Sequence, residues 1–90
     1  HQVPWFWSDQ YNIKLQIAGI SQYHDRRVIR GFPEEEKFAV FYLKDNCLIA
    51  VDAINSPKEF VAGKKLIERQ TEAPFDLIQD LDFDLKEIVS

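Results

Sequence analysis

Few side chains in this 90-residue chain combine a type and a spacing that could do chemistry. The densest group is Val3-Pro4-Trp5-Phe6-Trp7-Ser8-Asp9-Gln10-Tyr11, which holds both tryptophans of the chain beside an ionisable carboxylate. Large aromatic rings bury much apolar area and stack on flat partners. The block therefore reads either as a packing seam or as a surface that meets a flat ligand or a partner. His1 and His24 are far apart, with no Cys or carboxylate at metal-ligand spacing, which argues against zinc. Cys47, the sole cysteine, lies in an apolar stretch and reads as a small buried hydrophobe rather than a nucleophile. The three glycines, Gly19, Gly31 and Gly63, are isolated, so the chain carries no glycine-rich phosphate loop. Asp52, inside an apolar run, either faces solvent or bonds to a neighbouring loop. Arg26, Arg27 and Arg30 form a small positive cluster: an edge strand protected by charge, or a docking spot for an acidic partner.

The elements that must position these groups follow from periodicity. Ile13, Leu15 and Ile17 alternate with Asn12, Lys14 and Gln16, the period of a half-buried strand. Gly19 and the polar run 21–25 end it. Residues 26–30 are a short strand stopped by Gly31, followed by an acidic turn over 32–37. Phe38-Ala39-Val40-Phe41-Tyr42-Leu43 and residues 47–54 are strands rich in aromatic and β-branched side chains. The Lys44-Asp45-Asn46 turn joins them as a β-hairpin. Ser56, Pro57 and Glu59 then signal a helix start with a capping box. That helix runs to about Arg69, with Phe60, Gly63 and Ile67 on one face. Gly63 costs about 1 kcal/mol relative to Ala within a helix, which close helix-on-sheet packing would explain. Residues 71–74 break the helix, 75–81 form a short helical turn, and 85–89 form a last one. Strands first and helices last predict an α+β domain: an antiparallel sheet of about five short strands with one main helix (about 57–69) and short C-terminal turns on one face.

Composition narrows the function classes. Ninety residues make one small domain with room for one core. The hydrophobic fraction of 46% and charged fraction of 29% are those of an ordinary globular chain. A net charge of −4 lacks the basic footprint of a nucleic-acid binder. No apolar run approaches a membrane span. One cysteine allows no intrachain disulfide, which fits a reducing, cytoplasmic setting. The chain begins with His1 and contains no methionine, as expected of an excised domain or processed piece.

The block 3–11, followed by Leu15-Gln16-Ile17-Ala18-Gly19, resembles the start of the C-terminal domain of FAD-dependent ferredoxin reductases, which serve Rieske-type aromatic dioxygenases and bacterial cytochromes P450. Residues 28–31, 38–43 and 50–60 resemble the same domain in the same order. The resemblance covers about residues 3–67, with a weaker match at 84–88. Ser56 departs from it, standing where an Arg is expected. The resemblance implies a third domain beside FAD- and NAD(P)H-binding domains that are absent from this chain. It implies electron flow from NAD(P)H through FAD to an iron–sulfur ferredoxin, with no catalytic residue and no cofactor in the 90 residues themselves. It places Trp7, and near it Trp5, by the flavin and nicotinamide, with Trp7 also facing the ferredoxin. The apoptosis-inducing flavoprotein, a more distant relative, shares a Phe-Trp-Ser-Asp core, which favours Trp7 over Trp5. Phe6 is then expected to pack inward. Arg26, Arg27 and Arg30 are carried as a partner-binding cluster. The alternative is a dimerisation or protein-interaction module whose aromatics form a protein–protein patch.

Overall fold

The structure, a computed structural model, describes residues 3–70, 72 and 74–89. His1 and part of the 71–74 break therefore lie outside the described residues. Five antiparallel strands, β1 (Trp5–Gln10), β2 (Ile13–Gly19), β3 (Arg26–Phe32), β4 (Lys37–Lys44) and β5 (Cys47–Ile54), form one sheet in the order β1-β2-β5-β4-β3. Helices α1 (Pro57–Arg69), α2 (Phe75–Gln79) and α3 (Lys86–Val89) follow. The expected α+β architecture is the one observed.

Local chemistry accounts for most boundaries. Asp45 and Asn46 both take left-handed backbone (φ 53 and 66), as a tight primed hairpin turn between β4 and β5 requires. Gly19 ends β2 at φ 80, where a Cβ would stand 2.1 Å from the Ile49 carbonyl oxygen. Pro57 opens α1 at the position where its missing N–H costs nothing. Ser56 is the N-cap residue, but the expected capping box does not form. The Ser56 hydroxyl donates to the Ile54 carbonyl (2.9 Å), and Glu59 turns to Arg30.

The register sorts side chains into two faces. One row runs Trp5–Ala18–Val51–Phe41–Val28 across all five strands, and the next runs Trp7–Gln16–Ala53–Ala39–Arg30. These rows face the helices. α1 lays Phe60, Ala62, Gly63, Leu66 and Ile67 onto them, and Ile78 and Leu85 close the same core. Small residues let α1 approach closely: Ala18, Ala39 and Ala53 are fully buried, and a Cβ on Gly63 would sit 3.0 Å from the Val51 side chain and 3.3 Å from the Phe41 ring. The glycine within the helix is thus explained by packing.

The opposite face carries the rows Phe6–Ile17–Asp52–Val40–Ile29 and Ser8–Leu15–Ile54–Phe38–Gly31. No helix packs on it among the described residues, and none of its side chains belongs to the hydrophobic core. One expectation is corrected here. Phe6 does not pack inward; it lies on this open face, 52% exposed. Ile13, Leu15 and Ile17 alternate in a strand as expected, on the side away from the helices. Ala18 takes the covered side, where it is fully buried.

Arg30 ties the C-terminal segment to the sheet. Buried on β3, it donates through Nη1 to the carbonyls of Ile78 (3.1 Å) and Asp80 (2.7 Å), and through Nη2 to that of Phe83 (2.6 Å). Glu59 Oε1 lies 3.5 Å from its Nε, an ion pair without hydrogen-bond geometry. Removing one partner from a buried, hydrogen-bonded charged group costs about 3–5 kcal/mol. Arg30→Met should therefore lower unfolding stability by about 3–5 kcal/mol in urea titration. Arg30→Lys should recover little, because one ammonium cannot span the fork that reaches all three carbonyls.

Candidate functional site

β1 is an edge strand, so one row of its backbone N–H and C=O groups pairs with nothing in the sheet. The other edge, β3, has α2 packed against it and bears arginines. Among the described residues β1 has no such cover. Its sequence Trp-Phe-Trp-Ser-Asp-Gln puts indoles on the helix face and a phenyl ring on the other. An aromatic edge whose one charge, Asp9, lies near its end is a surface suited to being covered. The two-residue turn Tyr11-Asn12 folds β1 onto β2, with Tyr11 left-handed (φ 57) and Asp9 opposite Lys14. A tyrosine is a poor turn signal, so β1 was not legible as a strand before the structure.

The two indoles differ. Trp5 stands beside α1, its ring centroid 6.3 Å from that of Phe60 at an interplanar angle of 60°. It is held against the flank of the helix and remains 52% exposed. Trp7 lies one strand repeat further on, roughly 7 Å away along β1. It is 55% exposed and has no ring contact among the described residues. Its cross-strand neighbour is Gln16, whose Oε1 is buried and has no hydrogen-bond partner among the described residues. Gln16 belongs to the candidate site, and sequence reasoning missed it. It read as the polar half of an alternation, and only the register puts it beside Trp7.

Asn55 steadies this end of the sheet. Its backbone N–H donates to Lys14 O (2.8 Å), its Oδ1 accepts from the Lys14 N–H (2.7 Å), and its Nδ2 donates to Glu36 O (2.8 Å). The β1–β2 hairpin is thereby pinned to the start of α1.

The arginines do not form one patch. Arg30 is buried and bound to carbonyls. Arg26 lies over the Phe75 ring, its Cζ 4.8 Å from the centroid. Arg27, in register with Tyr42, is exposed on the open face. Arg30 closes the row that Trp7 begins, four strand spacings and about 19 Å away. The structure brings Trp5 and Trp7 together and leaves the arginine cluster at the far edge. Cys47 is half-buried, its Sγ 3.9 Å from the Gln70 carbonyl oxygen.

Asp52 is bonded, but to a neighbouring strand rather than a loop. In the middle of the open face its Oδ2 accepts from the Tyr42 hydroxyl (2.8 Å), and the His24 ring meets Tyr42 edge-on at 5.0 Å. Burial, and then the hydrogen bond and negative charge of Asp52, push the Tyr42 phenol from 10.0 up to about 12; Arg27 opposes this. The folded state favours the neutral phenol. This contribution to stability is complete below pH 10 and is lost as pH rises through about 12. In an absorbance titration, the difference between wild type and Tyr42→Phe should show one tyrosine ionising near pH 12. Asp52→Asn should move that step down toward pH 10.

Residues 5–89 match the family described as Reductase C-terminal. The chain is 41% identical over 88 residues to the ferredoxin reductase subunit of 5,5'-dehydrodivanillate O-demethylase from Sphingobium sp. (strain SYK-6), an alignment covering 98% of this chain and 21% of the relative. It is also 41% identical over 87 residues to putidaredoxin reductase of Pseudomonas putida, covering 97% and 21%. The crystal structure of the covalent putidaredoxin reductase–putidaredoxin complex matches the fold with a TM-score of 0.92 at 40% identity, over 99% of this chain and 21% of that one. The chain therefore spans about a fifth of the length of these relatives.

Proposed function

The chain belongs to the reductase C-terminal family, and on that premise we propose that it is the third domain of a flavoprotein that passes electrons from NAD(P)H through FAD to a ferredoxin-type iron–sulfur protein in the cytoplasm. The relatives it matches are ferredoxin reductases, and one was crystallised joined to putidaredoxin. The observation that carries the reading is the exposed indole of Trp7 on an edge strand, next to the Gln16 amide oxygen, which has no hydrogen-bond partner among the described residues.

When bound, the flavin supplies the conversion of a hydride into single electrons. This chain's part is positioning and exclusion of water. Trp7 offers a flat apolar face of the size a flavin or nicotinamide ring needs, and Trp5, propped on Phe60, walls the site on the α1 side. The backbone holds both rings, because Asn55 and the β1–β2 pairing fix their strand. Trp7 also reaches solvent, where a partner can approach. Arg30 drops out of that partner surface, because its guanidinium is buried and spent on the C-terminal segment. Arg26 and Arg27 remain available to an acidic partner only at the opposite edge. The glycine-free stretch around Trp7 has no phosphate cradle, so nucleotide binding and the choice between NADH and NADPH belong to the other domains.

Substitution in the full-length reductase tests the assignment. A stacked aromatic contact is worth about 0.5–1.5 kcal/mol. Trp7→Ala should thus slow flavin reduction by NAD(P)H or electron delivery to ferredoxin by up to roughly tenfold. Trp5→Ala should act mainly on stability, through the lost contact with Phe60. If Trp7→Ala leaves both steps at the wild-type rate in stopped-flow measurements, the assignment of Trp7 is wrong. The 90-residue chain alone, supplied with FAD, NADH and an artificial acceptor, should show no turnover above that of free flavin.

A further inference from the structure

We propose that Gln16 is the positioning residue of the Trp7 site: its buried amide oxygen accepts a hydrogen bond from the Trp7 indole N–H and fixes the plane of that ring when a flat partner packs against it. The inference deepens the reading of Trp7 as the ring-facing side chain, and rests on it.

The two indoles need different supports. Trp5 leans on Phe60, its ring centroid 6.3 Å from that of the phenyl ring. Trp7 has no ring contact among the described residues, and its indole makes no hydrogen bond to them. Neither packing nor a polar contact within this domain sets its plane. Gln16 has the matching need. Its Oε1 is buried and has no hydrogen-bond partner among the described residues. A buried acceptor without a donor is costly, because its water has been removed and nothing replaces it.

The surroundings of Gln16 narrow the choice of donor. On the covered face it follows Ala18 along β2 and pairs with Ala53 of β5, and neither side chain carries a donor. Ser56 gives its hydroxyl proton to the Ile54 carbonyl, and the Asn55 amide donates to Glu36 O. Lys14, two residues back on the same face, is exposed and stands opposite the Asp9 carboxylate. Trp7 remains. It is the direct cross-strand partner of Gln16. Such pairs hold their Cβ atoms about 4.5–5.5 Å apart, within reach of an indole and a glutamine amide. The indole N–H only donates, so the pairing has one direction. While Trp7 is 55% exposed, water serves its N–H. A flat ring stacked on the indole excludes that water, and Gln16 Oε1 is the acceptor at its side. The fold has already stripped this oxygen of water, so the bond forms without further desolvation of the amide.

The indole N–H resonances of the FAD-loaded full-length reductase, isotope-labelled at the tryptophan ring nitrogens, test this. The Trp7 signal is the one that Trp7→Phe removes. In Gln16→Leu it should move upfield, toward the position of an unbonded indole. In Gln16→Glu it should titrate with the new carboxyl group, which then serves as the acceptor. A Trp7 proton that ignores Gln16→Leu, or that does not respond to pH in Gln16→Glu, would overturn the proposal. Gln16→Glu decides alone should Gln16→Leu fail to fold. Kinetics supply the second readout. Gln16→Leu should slow the step that Trp7→Ala slows by a factor of about two to ten, the worth of one hydrogen bond. Combined with Trp7→Ala it should slow that step no further, within about twofold. A fully additive loss in the double variant assigns Gln16 to another contact and sinks the inference. If the Trp7 proton follows Gln16 while Trp7→Ala leaves the rates unchanged, the Gln16–Trp7 bond is upheld and only the reading of the Trp7 site fails. If Trp7→Ala slows transfer while the proton ignores Gln16, that reading stands and this inference fails.

Discussion

The close seating of α1 on one face of the sheet is the constraint on which the other features depend. Gly63 stands where any Cβ would press on Val51 and Phe41, and Ala18, Ala39 and Ala53 floor the groove beneath the helix. Strand alternation then puts Ile17, Val40 and Ile54 on the other face. The covered side becomes a thin, dense core and the uncovered side becomes apolar surface. A domain of this size buries only about 60–65% of its unfolded surface, and here the shortfall is concentrated on one face and one edge.

That concentration links fold to function. The covered face ends at β1, where the helix no longer reaches, and Trp7 is left standing beside it. Trp5 touches the helix through Phe60, so the two indoles grade from packed to free within one strand repeat. The opposite edge is finished differently: Arg30 is drawn inward to bind three carbonyls of the C-terminal segment, and α2 closes over β3. One edge of the sheet is completed within the domain and the other is left for something else. Such asymmetry suits an accessory domain of a reductase better than a free-standing module.

Much of the architecture was legible in the residues. The β4–β5 hairpin, the start of α1 at Pro57 and the packing reason for Gly63 all follow from local chemistry that the tertiary structure does not override. The capping box was not realised, because Glu59 found a buried guanidinium to pair with instead of the helix N-terminus. The arginine triplet misled for the same reason: adjacency in sequence says nothing about which side of a strand a residue faces. Arg26 and Arg30 fall on the helix face and Arg27 on the other, and burial gave them unlike roles.

By itself the sequence determined the element types and the α+β class and singled out the aromatic block as the candidate site, because turn chemistry, period and ring content are local properties. It also carried the family resemblance. Only the tertiary structure decided which face each side chain occupies. A strand of period two has the same pattern whichever face is covered, and the choice was made by the close approach of a helix some forty residues further along the chain. That choice turned Phe6 outward, left Trp7 free, set Gln16 beside it and put Asp52 at the centre of a bare apolar sheet.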